Sequence, residues 1–119
     1  MKIKILTGML SALILNNSAF ADNCQFNGTD KLYVQEIRTG SSQSNHLNPA
    51  LSITVSPVND LTQRHNLNAH SNGYDLDDTV GRVFVTQLQM AMINGSIVTI
   101  ANYHGNCSTQ GFTGVYVFK

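Results

Sequence analysis

Charge is scarce in this chain. Of its 119 residues only 12% are charged, seven basic against seven acidic. Blocks of like charge, which a disordered acidic or basic tail requires, are absent. So is the lysine and arginine density that displaces counterions from phosphates, and this excludes a nucleic-acid-binding role. Glutamate occurs once, at Glu36, inside a strand-like segment, so the sequence gives carboxylate acid–base catalysis no support. There is no G-x-S-x-G turn, no Gly-rich phosphate loop and no Cys–His pairing suited to a nucleophile. The chain therefore reads as a non-enzyme with no catalytic residue and no cofactor. Its length allows one domain and no second core.

Long hydrophobic runs are missing too. The longest, Ile5–Leu15, is too short to cross about 30 Å of hydrocarbon and is interrupted by Asn16-Asn17, so no membrane span is expected. Lys2 and Lys4 precede this run, and Ser18-Ala19-Phe20-Ala21 closes it with small residues at the minus-three and minus-one positions. A basic start, a short apolar stretch and an A-x-A site define a secretory signal peptide over residues 1–21. Cleavage after Ala21 leaves a single domain, 22–119, in the periplasm or outside the cell. Lys31, Arg38, Arg64, Arg82 and Lys119 then face all seven acids, which makes the mature domain mildly acidic.

Cysteine is limited to Cys24 and Cys107. In an oxidising compartment two cysteines read most simply as one disulfide. A reactive thiol or a metal pair needs neighbouring Cys or His at a spacing that is not present.

What is present is a polar, uncharged chain with a readable order of elements. Lys31–Thr39 is strand-prone and stops at Gly40; Gly40–Pro49 is polar and reads as a loop. Ala50–Ser56 alternates, with Leu51, Ile53 and Val55 on a buried face and Ser52, Thr54 and Ser56 on a wet one. Val58–Gly73 is rich in Asn and His, with a short strand expected around Arg64–Ala69 or Tyr74–Leu76. Thr79–Asn94 is a helix, started by Asp77-Asp78 and stopped by Gly95 in a left-handed conformation. Its main apolar face is Val80, Phe84, Val85, Leu88, Ala91 and Met92. Val83 and Met90 form a second apolar stripe, which is either an overflow of the core or a contact with a neighbouring subunit. Ser96–Tyr103 and Thr113–Phe118 are apolar on both faces, as strands inside a small barrel or under a helix are. His104–Gly111 joins them.

The polar clusters read as structure. His65 and His70 are five apart, which matches no metal-ligand spacing, and His46 and His104 are isolated, so all four read as solvated loop residues and no metal site is expected. A small hydrolase using His65 or His70 is the enzymatic alternative. Asp75, Asp77 and Asp78 lack the remaining ligands of a calcium loop and suit a helix N-terminus. The Asn27, Asn94 and Asn106 sequons read as turn residues, since the leader looks bacterial.

The motifs GYDLDD, VFVTQLQMAMINGSIVTI, NC and GVYVF of Tyr74–Lys119, with LYVQEIRTG of Leu32–Gly40, cover roughly half of the mature chain. They resemble the small secreted bacterial proteins related to B subunits of pentameric AB-type toxins, nearest the subtilase-cytotoxin and typhoid-toxin branch. The resemblance implies a mainly β fold with one α-helix, an OB-fold-like five-stranded small barrel. It also implies a glycan ligand, a homo-oligomer (a pentamer) and a toxic A subunit as partners. Where that branch has a serine before the first strand this chain has Asp30, with Thr29 beside it, and a carboxylate there repels a sialic-acid carboxylate. The extra cysteines of that branch are missing. The expected function is a secreted glycan-binding module with candidate contacts Thr29, Asp30, Ser42, Gln43 and Asn45, and with Val83 and Met90 at a subunit interface. The alternative is a periplasmic or surface interaction protein without a sugar site.

Overall fold

The computed structural model describes residues 22–41, 49–71, 73–103 and 105–119. The leader, the loop residues Ser42, Gln43 and Asn45, and His46, Asn72 and His104 lie outside the described residues. The elements are β1 (Asp22–Asn23), β2 (Leu32–Ser41), β3 (Pro49–Pro57), β4 (His65–Asn68), α1 (Thr79–Asn94), β5 (Ile97–Asn102), α2 (Cys107–Gln110) and β6 (Gly114–Phe118). The helix has the expected bounds, and each main strand lies within two residues of its expected limits.

The strands form one curled antiparallel sheet. Strand β5 is its hub: β6 pairs along one side, and β1 and the start of β2 share the other, through Asp22↔Asn102 and Leu32↔Val98. From β2 the path continues to β3 and β4. The two ends of the sheet meet where Ala69 bridges Phe112 in parallel, with Phe112 N–H donating to Asn68 O and His70 N–H to Phe112 O, both at 2.9 Å. The result is a mainly β, OB-fold-like small barrel with α1 laid against β2 and β6.

The curl is visible in β2. Its inward residues Leu32, Val34 and Ile37 break strict alternation, because Val34 and Ile37 are three apart. The register shifts between Val34 and Glu36, so Gln35 is the extra residue of a bulge. A bulge adds one residue, bends the strand and returns the next apolar side chain to the core. That core is Leu32, Leu51, Ile53, Val55, Leu88, Val98, Ile100 and Phe112, all fully buried. Phe84 brings α1 onto it, its ring 5.8 Å from Phe112 and stacked at 6.0 Å on Tyr74.

Four details differ from the sequence pattern. On β3, Thr54 and Ser56 are buried, not wet. The Thr54 hydroxyl donates to Asn66 Oδ1 (2.7 Å) with Glu36 Oε1 at 3.3 Å, and Ser56 lies under the following turn, donating to Leu61 O. On α1, Gly81 is buried while Val80 and Met92 are exposed, so the buried stripe is Gly81, Phe84, Leu88 and Ala91. The backbone of Tyr74-Asp75 runs directly across Gly81, which rotates the helix toward that loop. On β6, Tyr116, Val117 and Phe118 are exposed at 40–42%, so the end of the strand is not apolar-covered on both faces. The β5–β6 connection also contains a helical turn, α2, whose start is capped by Asn106: its Oδ1 accepts from Thr109 N–H.

Turn chemistry agrees with local conformation. Asn27 and Gly28 have φ of 54° and 77°, and Phe26 and Thr29 exchange both backbone hydrogen bonds across them. This is the two-residue Asn-Gly hairpin turn. Gly95 ends α1 at φ 65°, its N–H directed at Ala91 O and Met92 O.

At the start of α1 the aspartates face each other. Asp75 N–H donates to Asp78 Oδ2 and Asp78 N–H to Asp75 O, so the Asp78 carboxylate turns back to the loop instead of capping the helix. Burial, then the charges of Asp78 and Asp77, push the Asp75 carboxyl above its ordinary value of 3.8, with His70 pulling the other way. A raised folded value means the group's contribution to stability is complete below the unfolded pKa and is lost as pH rises through the folded one. Asp75→Asn is therefore expected to be at least as stable as the parent at neutral pH and to flatten the melting temperature across that acidic window. Thermal melts at a series of pH values check this.

Candidate functional site

The outer face of β2, β3 and β4 is polar because the residues between the inward apolar ones are Ser, Thr, Asn and charged pairs. Register sets them in two rows. Glu36, Thr54 and Asn66 lie across the three strands in one row, and Arg38, Ser52 and Asn68 in the next. In the first row the hydroxyl of Thr54 lies between Glu36 Oε1 and Asn66 Oδ1. Arg38 Nε sits 3.4 Å from Glu36 Oε1, which neutralises the only carboxylate of the two rows. This leaves Asn and Ser groups on a face with no net charge. In small OB-type barrels the face of the second and third strands, with the loops beside it, is where oligonucleotides and oligosaccharides bind. The lack of surplus cations on this face disfavours the first of these.

The β2–β3 connection, which carries Ser42, Gln43 and Asn45, leaves and rejoins the sheet at the Ser41↔Pro49 pair, next to the Arg38 row. Thr29 and Asp30 instead precede β2, so the two groups of candidates depart from opposite ends of a ten-residue strand. Thr29 Oγ1 accepts from Lys31 N–H at 3.0 Å. Asp30 accepts from Asn23 Nδ2 at 3.0 Å and pairs with Lys31 Nζ at 3.4 Å, while its carbonyl accepts from Thr99 Oγ1. Lys31 in turn lies 4.5 Å from the centre of the Phe118 ring. Thr29 and Asp30 thus fasten the hairpin turn to the start of β2, with half-buried side chains.

His65 and His70 are structural rather than free in a loop. His65 begins β4 and stacks on Phe26 with ring centres 3.9 Å apart, its Nε2 3.2 Å from Gln63 Oε1. His70 Nδ1 donates to Gln110 O at 2.7 Å across the seam. No group of three His, Cys, Asp or Glu side chains placed to hold a metal exists among the described residues.

On α1, Val83 and Met90 are 51% and 56% exposed, so the core-overflow reading of this stripe fails. With Thr86, Gln87 and Val117 they line a groove between α1 and β6. Gln87 Nε2 reaches Val115 O along that side of β6. Sequence periodicity separated this stripe from the core. The polar rows were not legible, because they depend on which residues of three strands stand opposite one another.

Cys24 and Cys107 form the disulfide, with Cα atoms 5.4 Å apart and both residues buried. Among the described residues no helix is long and apolar enough to cross a membrane. The molecule thus belongs to the class of disulfide-bonded, mainly β, OB-like small barrels. No protein-family model, curated protein or solved structure matches it.

Proposed function

We propose that the chain is a secreted binding module that recognises cell-surface glycans and does no chemistry on them. The observation that carries this reading is the polar outer face of β2–β4, whose Asn66, Asn68 and Ser52 side chains supply the donors and acceptors that sugar hydroxyls require. The resemblance to toxin B subunits supports it, and extends it to a ring of five copies that carries an A subunit. The exposed groove at Val83 and Met90 is the proposed contact between copies. A broad glycan array probed with the purified protein should give binding to at least one saccharide class, and a blank array defeats the reading.

The same groove favours a second reading, an interaction protein of the periplasm or cell surface that carries no sugar site. Light scattering separates the versions of the groove. A mass that is a multiple of the monomer in the parent, and falls toward the monomer in Val83→Glu and Met90→Glu, supports association through it. A strict monomer at high concentration removes the subunit contact from both readings.

A further inference from the structure

We infer that the cleft between the end of β4 and α2 is a subsite for one uncharged, hexose-sized sugar; this rests on the glycan-binding reading and names its ligand class. The cleft has a volume of about 240 Å³, and its lining includes Asn66, Asn68, Ser71, Thr109 and Gln110, with Ala69 and Gly111 at its base. At ~30 Å³ for each displaced water its interior holds the equivalent of about eight waters, room for one sugar ring, and its open mouth leaves the rest of any chain outside.

The backbone of its walls is fixed before any ligand arrives. Gly111 has φ 91° and lies so close to the His70 backbone that a Cβ would come within 2.8 Å of His70 N and Cα. That approach draws the α2 segment against β4. It is held there by His70 Nδ1 on Gln110 O, by Asn102 Nδ2 on Gly111 O and by the Ala69↔Phe112 bridge. Asn66 and Asn68, two apart on one strand, reach the same side of the sheet. The side chains of Asn68, Ser71 and Thr109 make no hydrogen bond within the described residues, so their donors and acceptors are available. The backbone of the cleft is thus set in advance, which spares a ligand part of the ordering cost, while the exposed side chains of Asn68, Ser71 and Thr109 are ordered on binding.

Charge selects the sugar. No lining residue is charged, and the two rows that end at Asn66 and Asn68 begin at Glu36 and Arg38, far across the sheet. The Arg38 guanidinium is already held by Glu36. A carboxylated sugar would therefore enter without a cation to meet it, whereas a neutral hexose exchanges hydroxyl–water bonds for hydroxyl–amide ones. No aromatic ring lines the cleft either, so a single site should bind in the millimolar range, about 4 kcal/mol, and strengthen on multivalent display.

The test is an NMR titration of the isotopically labelled protein with glucose, galactose, mannose and N-acetylneuraminic acid, beside the glycan array. At least one neutral hexose should shift the amide signals of Asn68, Ser71, Thr109 and Gln110. Asn68→Ala and Thr109→Ala, both at exposed positions, should each weaken that binding about fivefold to tenfold with unchanged melting curves. N-acetylneuraminic acid binding more tightly than the hexoses overturns the inference. So do hexose shifts confined to other residues, or array binding that both variants retain; in those cases glycan recognition stands and only the cleft is wrong. A blank array with no shift from any sugar removes both.

Discussion

Gly81→Ala is expected to destabilise the domain by roughly 2–4 kcal/mol, against the helix propensity of the substitution, because it overpacks a backbone contact. In an exposed helix interior, alanine is better than glycine by about 1 kcal/mol. Here a methyl group at position 81 would overlap the carbonyl of Asp75 and meet the carbonyl of Tyr74. Both are backbone atoms, so no side chain can swing away. The loop is also held to the helix by the reciprocal Asp75–Asp78 hydrogen bonds, which leaves it little freedom to retreat. For a domain of about a hundred residues each kcal/mol shifts the melting temperature by about 4–8 °C, so a drop of roughly 10–25 °C is expected by circular dichroism. Gly40→Ala is the control: nothing lies within 4 Å of its added methyl group, and its φ is not positive. It should melt close to the parent. A Gly81→Ala variant that melts with the parent would mean that the loop is not pinned across the helix.

Removal of the disulfide should have an effect of similar size. Cys24 and Cys107 are 83 residues apart in sequence, so the bridge restricts nearly the whole unfolded domain. Its loss, by Cys24→Ala with Cys107→Ala, should cost roughly 2–4 kcal/mol. The folded side suffers as well. Strand β1 is two residues long, and the contacts that hold it include the pairing to β5, Cys24 N–H on Ile100 O, Cys107 N–H on Asp22 Oδ2 and Asn23 Nδ2 on Asp30 Oδ2. Without the bridge only such non-covalent contacts retain it. A reducing agent should lower the melting temperature of the parent and leave the double variant unchanged. Equal melting of parent and double variant under oxidising conditions would contradict the assignment of stability to the bridge.

The sequence reveals most where a pattern is local. Thr79–Asn94 has its charged start and Gly95 stop within one stretch, and its bounds appear unaltered in the folded chain. The clean alternation of Leu51, Ile53 and Val55 correctly marks the core face of β3. Its opposite face misleads, because Thr54 and Ser56 are covered by partners distant in sequence, and a hydroxyl reads the same whether it meets water or Asn66. The helix face holds at Phe84, Val85, Leu88 and Ala91 but not at Val80 and Met92, and it misses Gly81, for a related reason. Glycine carries no hydropathy signal, so the residue that defines the closest packing of α1 looks inert in the sequence. The cleft at Asn68 and Thr109 is further from view, since it exists only where the two ends of the sheet meet. Thr29 and Asp30 stand in a turn whose hydrogen bonds they satisfy, which a sequence resemblance does not disclose.

The parallel bridge between Ala69 and Phe112 has a consequence for the order of folding. Strands β2, β3 and β4 are neighbours in sequence and form through successive antiparallel pairings, whereas the closing bridge needs the last segment of the chain. Contacts between distant segments form slowly, since chain entropy is lost before they contribute. Until residues 112–118 arrive, the open side of β4 and the β6 side of β5 each present unpaired backbone groups, which invite association with other chains. A chain truncated before Phe112 should therefore aggregate rather than collapse into a smaller barrel, and the C-terminal strand acts as the stopper that makes the fold a closed unit.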